Sequence, residues 1–187
     1  MGRLIYSMSV SADGFIADRA GGFDWSVPSG EQFAFHLREV SEIGRCLLGR
    51  RLYETMLPWE TDASLRDSPD ADAFAEGWSA IPKVVFSRTL DRVEGNARLA
   101  AASVPEEVAQ ALAATDEDVE VGGAGLAAVA IEAGLVDEFR MFRCPIAVGG
   151  GTPYWPPVLH AVELDLVETR VFAGDVVFER YVRRAAA

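Results

Sequence analysis

Apolar residues in this chain come in short blocks that alternate between two spacings. Leu4 to Val10 is a compact apolar run bounded by the turn-forming Ser11-Ala12-Asp13-Gly14, which reads as a first strand. Phe33, Leu37 and Val40 then recur at helical spacing, and Ser29 with Gln32 matches a capping box at the start of that helix. A second strand is expected over Arg45 to Leu48, broken by Gly49, with a short helix from Arg50 to Met56 that stops before Pro58. Glu60 to Trp78 is acidic and reads as a surface excursion, in which Ser68-Pro69-Asp70 caps a short helix. Lys83 to Phe86 reads as a buried strand. Ser103 and Glu106 cap the next helix, with Pro105 near its start. A strand at Asp118 to Val121 runs into Gly122-Gly123-Ala124-Gly125, which opens an apolar helix ending at Gly134.

The pattern changes after that helix. Phe139 to Cys144 is a strand and Gly149-Gly150-Gly151 a loop; Val162 to Phe172 and Val176 to Val182 form a hairpin turning near Gly174-Asp175. Strands alternating with helices and closing on an antiparallel pair predict a mostly parallel sheet with a mixed edge. The 187 residues fit one domain, 1–187, and a composition of 50% hydrophobic and 25% charged residues is that of a globular protein.

A formal net charge of -12 argues against nucleic acid and anionic membranes as partners. The beginning of the chain holds no apolar run long enough for a signal peptide or a spanning helix. Cys46 and Cys144 each sit in an apolar stretch and read as buried thiols of a reducing compartment, so a cytoplasmic location is expected. With His36 and His160 the only histidines, a His/Cys metal site is poorly supplied.

Candidate chemistry lies where strands end in glycine. At Val121-Gly122-Gly123-Ala124-Gly125-Leu126 the free amides and the positive end of the helix dipole face one spot, which suits a pyrophosphate. A compact strand-to-helix connection would read the same way. Residues 123–128 also match the G-x-G-x-x-A dinucleotide fingerprint, but too few strand–helix units follow for a Rossmann fold. Gly49-Arg50-Arg51 repeats the strand–glycine–helix pattern with two guanidinium groups, and Ser87-Arg88 ends a buried strand in a hydroxyl and a cation. Three strands would thus deliver phosphate-binding groups to one sheet edge.

Ser11-Ala12-Asp13-Gly14-Phe15-Ile16-Ala17, Gly49-Arg50-x-x-Tyr53-Glu54, Gly122-Gly123-x-Gly125 and Pro145-Ile146-x-x-Gly149-Gly150-Gly151-Thr152-Pro153 occur in that order. In this the chain resembles the dihydrofolate-reductase-like superfamily, and most of all stand-alone relatives of the bacterial riboflavin-biosynthesis reductase domain. The resemblance spans nearly the whole chain. It implies a three-layer α/β/α fold and an NADPH-dependent oxidoreductase acting on a small pyrimidine- or pteridine-like heterocycle or an imine, with 5-amino-6-ribosylaminouracil reduction one case. It implies that Met8 and Ile16 lie near the nicotinamide, and that Gly49, Arg50 and Arg51 meet adenosine-side phosphates. Ser87 and Arg88 would lie near the 2′-phosphate. Gly122 and Gly123 would flank a cis peptide beside the pyrophosphate, with Ala124, Gly125 and Leu126 completing the turn. A homodimer is implied too, and the apolar Val176-Val177-Phe178 is its expected surface.

Hydride transfer gains from an acid that protonates the acceptor, and Asp13 and Glu31 are the candidates. Asp13 also suits a turn, and Glu31 a helix N-terminus. Trp25, Phe33 and Tyr53 are candidates to line the acceptor pocket. Gly30 stands where true dihydrofolate reductases place their carboxylate, with Glu31 one position later, and the chain lacks the H-x-E and P-C-x-x-C pattern of zinc deaminases. Folate reduction and a nucleotide-binding protein without turnover are the alternatives.

Overall fold

The computed structural model describes residues 2–28 and 30–184. In chain order the elements are β1 (Leu4–Ser11), β2 (Phe15–Ala17), α1 (Glu31–Val40), β3 (Ile43–Gly49), α2 (Arg50–Met56), α3 (Pro58–Thr61), α4 (Pro69–Ala80) and β4 (Lys83–Phe86). They continue with β5 (Ala97–Leu99), α5 (Val104–Ala113), β6 (Asp118–Gly122), α6 (Ala124–Glu132), β7 (Glu138–Cys144), β8 (Thr152–Pro153), β9 (Leu164–Val171) and β10 (Val177–Arg183). The main sheet has eight strands in the order β5-β4-β3-β6-β1-β7-β10-β9. All pairs from β5 to β7 are parallel, and β10 runs antiparallel to both β7 and β9. This is the α/β fold expected, with its C-terminal hairpin.

Both faces of the central parallel strands are covered, which explains consecutive apolar pairs such as Leu4-Ile5, Leu47-Leu48 and Val84-Val85. Leu47 joins Leu4, Tyr6, Val119, Val121 and Phe139 on the face under α5 and α6. Its neighbour Leu48 points the other way, with Ile5, Cys46 and Val85 against Phe74 and Trp78 of α4. Burying one such leucine stabilises the fold by about 1.5–3 kcal/mol. Cys46 and Cys144 are both buried and unpaired.

The acidic stretch departs from its expected role. Ala71, Phe74, Ala75 and Trp78 are buried at i, i+3, i+4 and i+7 of α4, and the Ser68 side chain accepts from the Ala71 amide at 3.2 Å. Its acidic residues lie off the buried stripe, so composition hid a core helix. The expected Ser29 cap lies outside the described residues; α1 starts after Gly30, which provides no side-chain cap. The pair Ser103 and Glu106 does cap α5. Phe178, expected on a dimer surface, is buried with Phe142 and Phe172. Exposed apolar side chains lie on β9 instead, at Leu166, Val167 and Val171. No helix among the described residues is long and apolar enough to cross a membrane.

Candidate active-site cleft

Because β3, β4 and β6 are parallel neighbours, their carboxyl ends share one edge of the sheet. A cleft of about 1610 Å³ opens there, and Gly49, Arg50, Arg51, Ser87, Arg88, Gly123, Ala124, Gly125 and Leu126 all line it. Gly123 turns the chain from β6 into α6 at φ +96°, a conformation that favours glycine. A Cβ there would lie 3.7 Å from the backbone of Gly49, so the two loops pack against each other. A Cβ at Gly125 would meet nothing within 4 Å, and the space it would occupy belongs to the cleft. No side chain caps the first amides of α6, which leaves them to a ligand.

The cations sit around this turn. Arg50 Nη1 donates to Thr89 Oγ1 at 3.0 Å, and its Nε lies 3.7 Å from Glu54. The Ser87 hydroxyl accepts from the amides of Thr89 and Leu90 at 3.1 and 3.0 Å, which shapes the loop after β4. Arg51 and Arg88 are exposed, and among the described residues neither has a carboxylate within ion-pair range. An anion entering here would meet guanidinium groups with donors to spare.

The rest of the cleft has a different character. Phe33 of α1, Trp59 of α3 and Phe74 of α4 line it with ring centroids 4.8–6.2 Å apart, an apolar wall of rings inclined to one another by 34–65°. Met8 of β1 and Ile16 of β2 line it too. The floor beneath α1 is polar: Ser7 and Ser9 from β1, Glu120 from β6, Arg140 from β7, His36 and Glu39 from α1. Arg140 is held at Nε by Glu138 (2.6 Å) and at Nη1 by Glu39 (2.8 Å). Arg3 also pairs with Glu138. The Glu120 carboxyl makes no hydrogen bond to a described residue, and its pKa is pushed up to about 8, first by burial and then by repulsion from Glu39, with Arg140 opposing.

Several expected site residues lie elsewhere. Asp13 is outside the cleft lining: it accepts from the Ser11 hydroxyl (2.7 Å) and from the amides of Val148 (3.1 Å) and Gly149 (2.7 Å). The Ser11 bond and these amides hold its carboxyl below the usual carboxylate range. Glu31 pairs with Arg170 of β9 and faces away from the cleft lining. Tyr53 is buried in the core, where its hydroxyl donates to the Glu94 carbonyl (3.1 Å) and accepts from the Glu94 amide (2.7 Å). The turn around Trp25 contributes Phe23 and Ser26 to the lining, while the Trp25 indole nitrogen is buried without a partner. Gly122 lies beside the cleft, packed by Leu52 and Leu48. The Gly122–Gly123 bond, expected cis, is trans like every described peptide bond; the positive φ of Gly123 makes the turn. The residues that were missed, Glu120, Arg140 and Glu39, carried one signal: charges within strands or a helix face that should otherwise be buried.

Comparison with known proteins agrees with this architecture. The family model of the RibD C-terminal domain matches residues 3–178. The uncharacterized protein YyaP of Bacillus subtilis (strain 168) is 31% identical over 180 residues, covering 94% of this chain and 92% of that protein. A proposed riboflavin biosynthesis protein from Shewanella sp. PV-4 superposes with a TM-score of 0.77 at 22% identity, covering 99% of this chain and all of that one. A dihydrofolate reductase from Enterococcus faecalis, solved in complex with NADP(H), superposes with a TM-score of 0.61 at 18% identity, covering 98% of both chains. The fold is thus dihydrofolate-reductase-like, and the chain belongs to the RibD C-terminal domain family.

Proposed function

We propose that this protein is an NADPH-dependent reductase that adds hydride to a pyrimidine- or pteridine-like heterocycle or an imine. One observation carries the reading: the loops after β3, β4 and β6, two of them opened by glycine and the third by Ser87-Arg88, converge on a single cleft that also contains an aromatic wall. The loops fit a dinucleotide. Gly125 leaves open the space a side chain would fill, so backbone amides at the start of α6 can approach a pyrophosphate. Arg50 and Arg51 would hold adenosine-side phosphates, and Ser87 with Arg88 the 2′-phosphate that separates NADPH from NADH. The bound cofactor supplies the hydride. Met8 and Ile16 would wall the reacting ring, and Phe33, Trp59 and Phe74 would pack by face and edge against a flat acceptor.

The NADP(H) bound to the dihydrofolate reductase relative and the riboflavin description of the Shewanella relative both support this reading. Reduction of a ribosylaminouracil is the specific reaction we favour. Folate reduction has less support, since Glu31 sits outside the cleft. Calorimetric titration with NADPH and NADH, followed by NADPH absorbance decay with ribosylaminouracils, pterins and dihydrofolate, tests the proposal. Tighter binding of NADPH and turnover of a ribosylaminouracil are expected. Failure to bind either nucleotide overturns the proposal, and tight binding without turnover on any acceptor assigns the protein to nucleotide binding alone.

A further inference from the structure

Glu120 is a carboxyl without a partner at the bottom of the cleft. Its Cα pairs across β6 with Ile5 on one side and Cys46 on the other, so it stands in a row whose next member beyond Ile5 is Glu138. The nearby cations are already committed. Arg140 gives Nε to Glu138 and Nη1 to Glu39, and Lys83 of β4 donates to the carbonyls of Trp78 (2.5 Å) and Ile81 (2.8 Å) and pairs with Glu60 (2.9 Å). From α1 the charged and titratable groups facing this floor are Glu39 and His36, which themselves approach to 3.2 Å. From β3 the facing group is the Cys46 thiol, pushed up by burial and by Glu120. β1 presents Ile5, Ser7, Ser9 and Ser11 on this side, none of them charged. Glu138 and Glu39 thus take the hydrogen bonds of Arg140, which reaches Glu120 only through its charge, and Arg3 is held by Glu138 and Asp118.

We propose that Glu120 is the acid of this cleft, delivering a proton to the acceptor nitrogen or oxygen of a neutral heterocycle bound beneath α1. The inference rests on the reductase reading and names what the site takes: an uncharged acceptor with a basic ring atom, rather than an amidinium. For a C=N acceptor the step balances as follows. The hydride, drawn from reduced nicotinamide, forms the new C–H bond; the π pair of C=N moves onto nitrogen; and nitrogen takes the Glu120 proton as the O–H bond breaks. The product is an amine, and the carboxylate recovers its proton from water. The pKa near 8 keeps the proton in place at neutral pH while leaving it transferable.

The test compares the full chain with Glu120→Gln by infrared difference titration, which reads the protonated carboxyl directly and needs no substrate. In parallel, calorimetry measures binding of 6-aminouracil, a neutral pyrimidine, to the NADPH-loaded proteins across the same pH range. We expect a protonated-carboxyl band in wild type that titrates near pH 8 and is missing from Glu120→Gln. We expect wild-type affinity for 6-aminouracil to fall about tenfold per pH unit above that midpoint, a dependence Glu120→Gln lacks. Glu39→Gln removes the like charge and frees an Arg140 donor, so it should lower the wild-type midpoint. The proposal is overturned if no such band is present at neutral pH, if the band survives in Glu120→Gln, or if both proteins lose affinity for 6-aminouracil alike. Loss of NADPH binding by wild type would instead sink the reductase reading, and the infrared titration would still decide the state of Glu120.

Discussion

Arg50 donates to the hydroxyl of Thr89 at 3.0 Å, tying the loop that follows β3 to the loop that follows β4. Two loops far apart in sequence therefore act as one rim of the cleft, with Arg51 and Arg88 projecting from its two halves. The rim is where the choice between phosphorylated and unphosphorylated dinucleotides should be made.

Arg88→Ala is expected to weaken NADPH binding by about 1.5 kcal/mol, roughly tenfold, the low end for a charged hydrogen bond because the side chain is exposed. NADH binding should barely change. Parallel calorimetric titrations with the two nucleotides check this, and equal losses for both would place Arg88 away from the 2′-phosphate.

Gly125→Val separates the cradle from the fold. The Cβ position meets no protein atom within 4 Å and opens on the cleft, so urea unfolding should show stability within about 0.5 kcal/mol of wild type. It fills the space reserved for the ligand, so NADPH affinity should fall by about tenfold or more. Unchanged affinity would mean that the pyrophosphate does not approach α6.

Lys83 and Glu60 form an ion pair at 2.9 Å with both side chains almost wholly buried. Lys83→Met leaves Glu60 charged and unpaired, and chemical denaturation should show a loss of about 3–5 kcal/mol. Replacing both residues with methionine should recover part of that loss, which the double-mutant cycle measures.

Much of this architecture was legible beforehand. Most of the main-sheet strands and longer helices followed from spacing, while β2, β5, β8 and α3 did not, and the three loops followed from the residues around Gly49, Ser87 and Gly123. Strand order was not legible, because the placement of β6 between β3 and β1 depends on pairings far apart in sequence. Asp13 and Tyr53 lie outside the cleft lining for a shared reason: in sequence a turn carboxylate and an internal tyrosine look the same whether they face a cleft or, as here, bond loop backbone at Val148, Gly149 and Glu94. Glu120 could have been found. A carboxylate between Val119 and Val121, in a strand covered on both faces, needs either a partner or a purpose.

Glu120 also makes stability depend on pH. Its folded pKa, about 8, lies above its ordinary value near 4.5, so between those values the folded state holds a proton the unfolded state has released. Stability should therefore fall as pH rises through that window and level off above pH 8, each unit of pKa shift corresponding to about 1.4 kcal/mol. Glu120→Gln should gain stability relative to wild type at pH 8 compared with pH 5. Thermal unfolding at the two pH values checks the sign, and a constant difference would contradict it.

The loops after β3, β4 and β6 supply every group proposed to grip the phosphates of the dinucleotide, while β1, β7 and α1, joined by Glu120 of β6, supply the floor beneath the acceptor. The two parts meet on β6, which places Glu120 in the floor and Gly123 just past its carboxyl end. Residues on the acceptor half can thus drift without loosening the nucleotide's anchorage, and a scaffold divided this way can exchange one reducible ring for another while its source of reducing power stays the same.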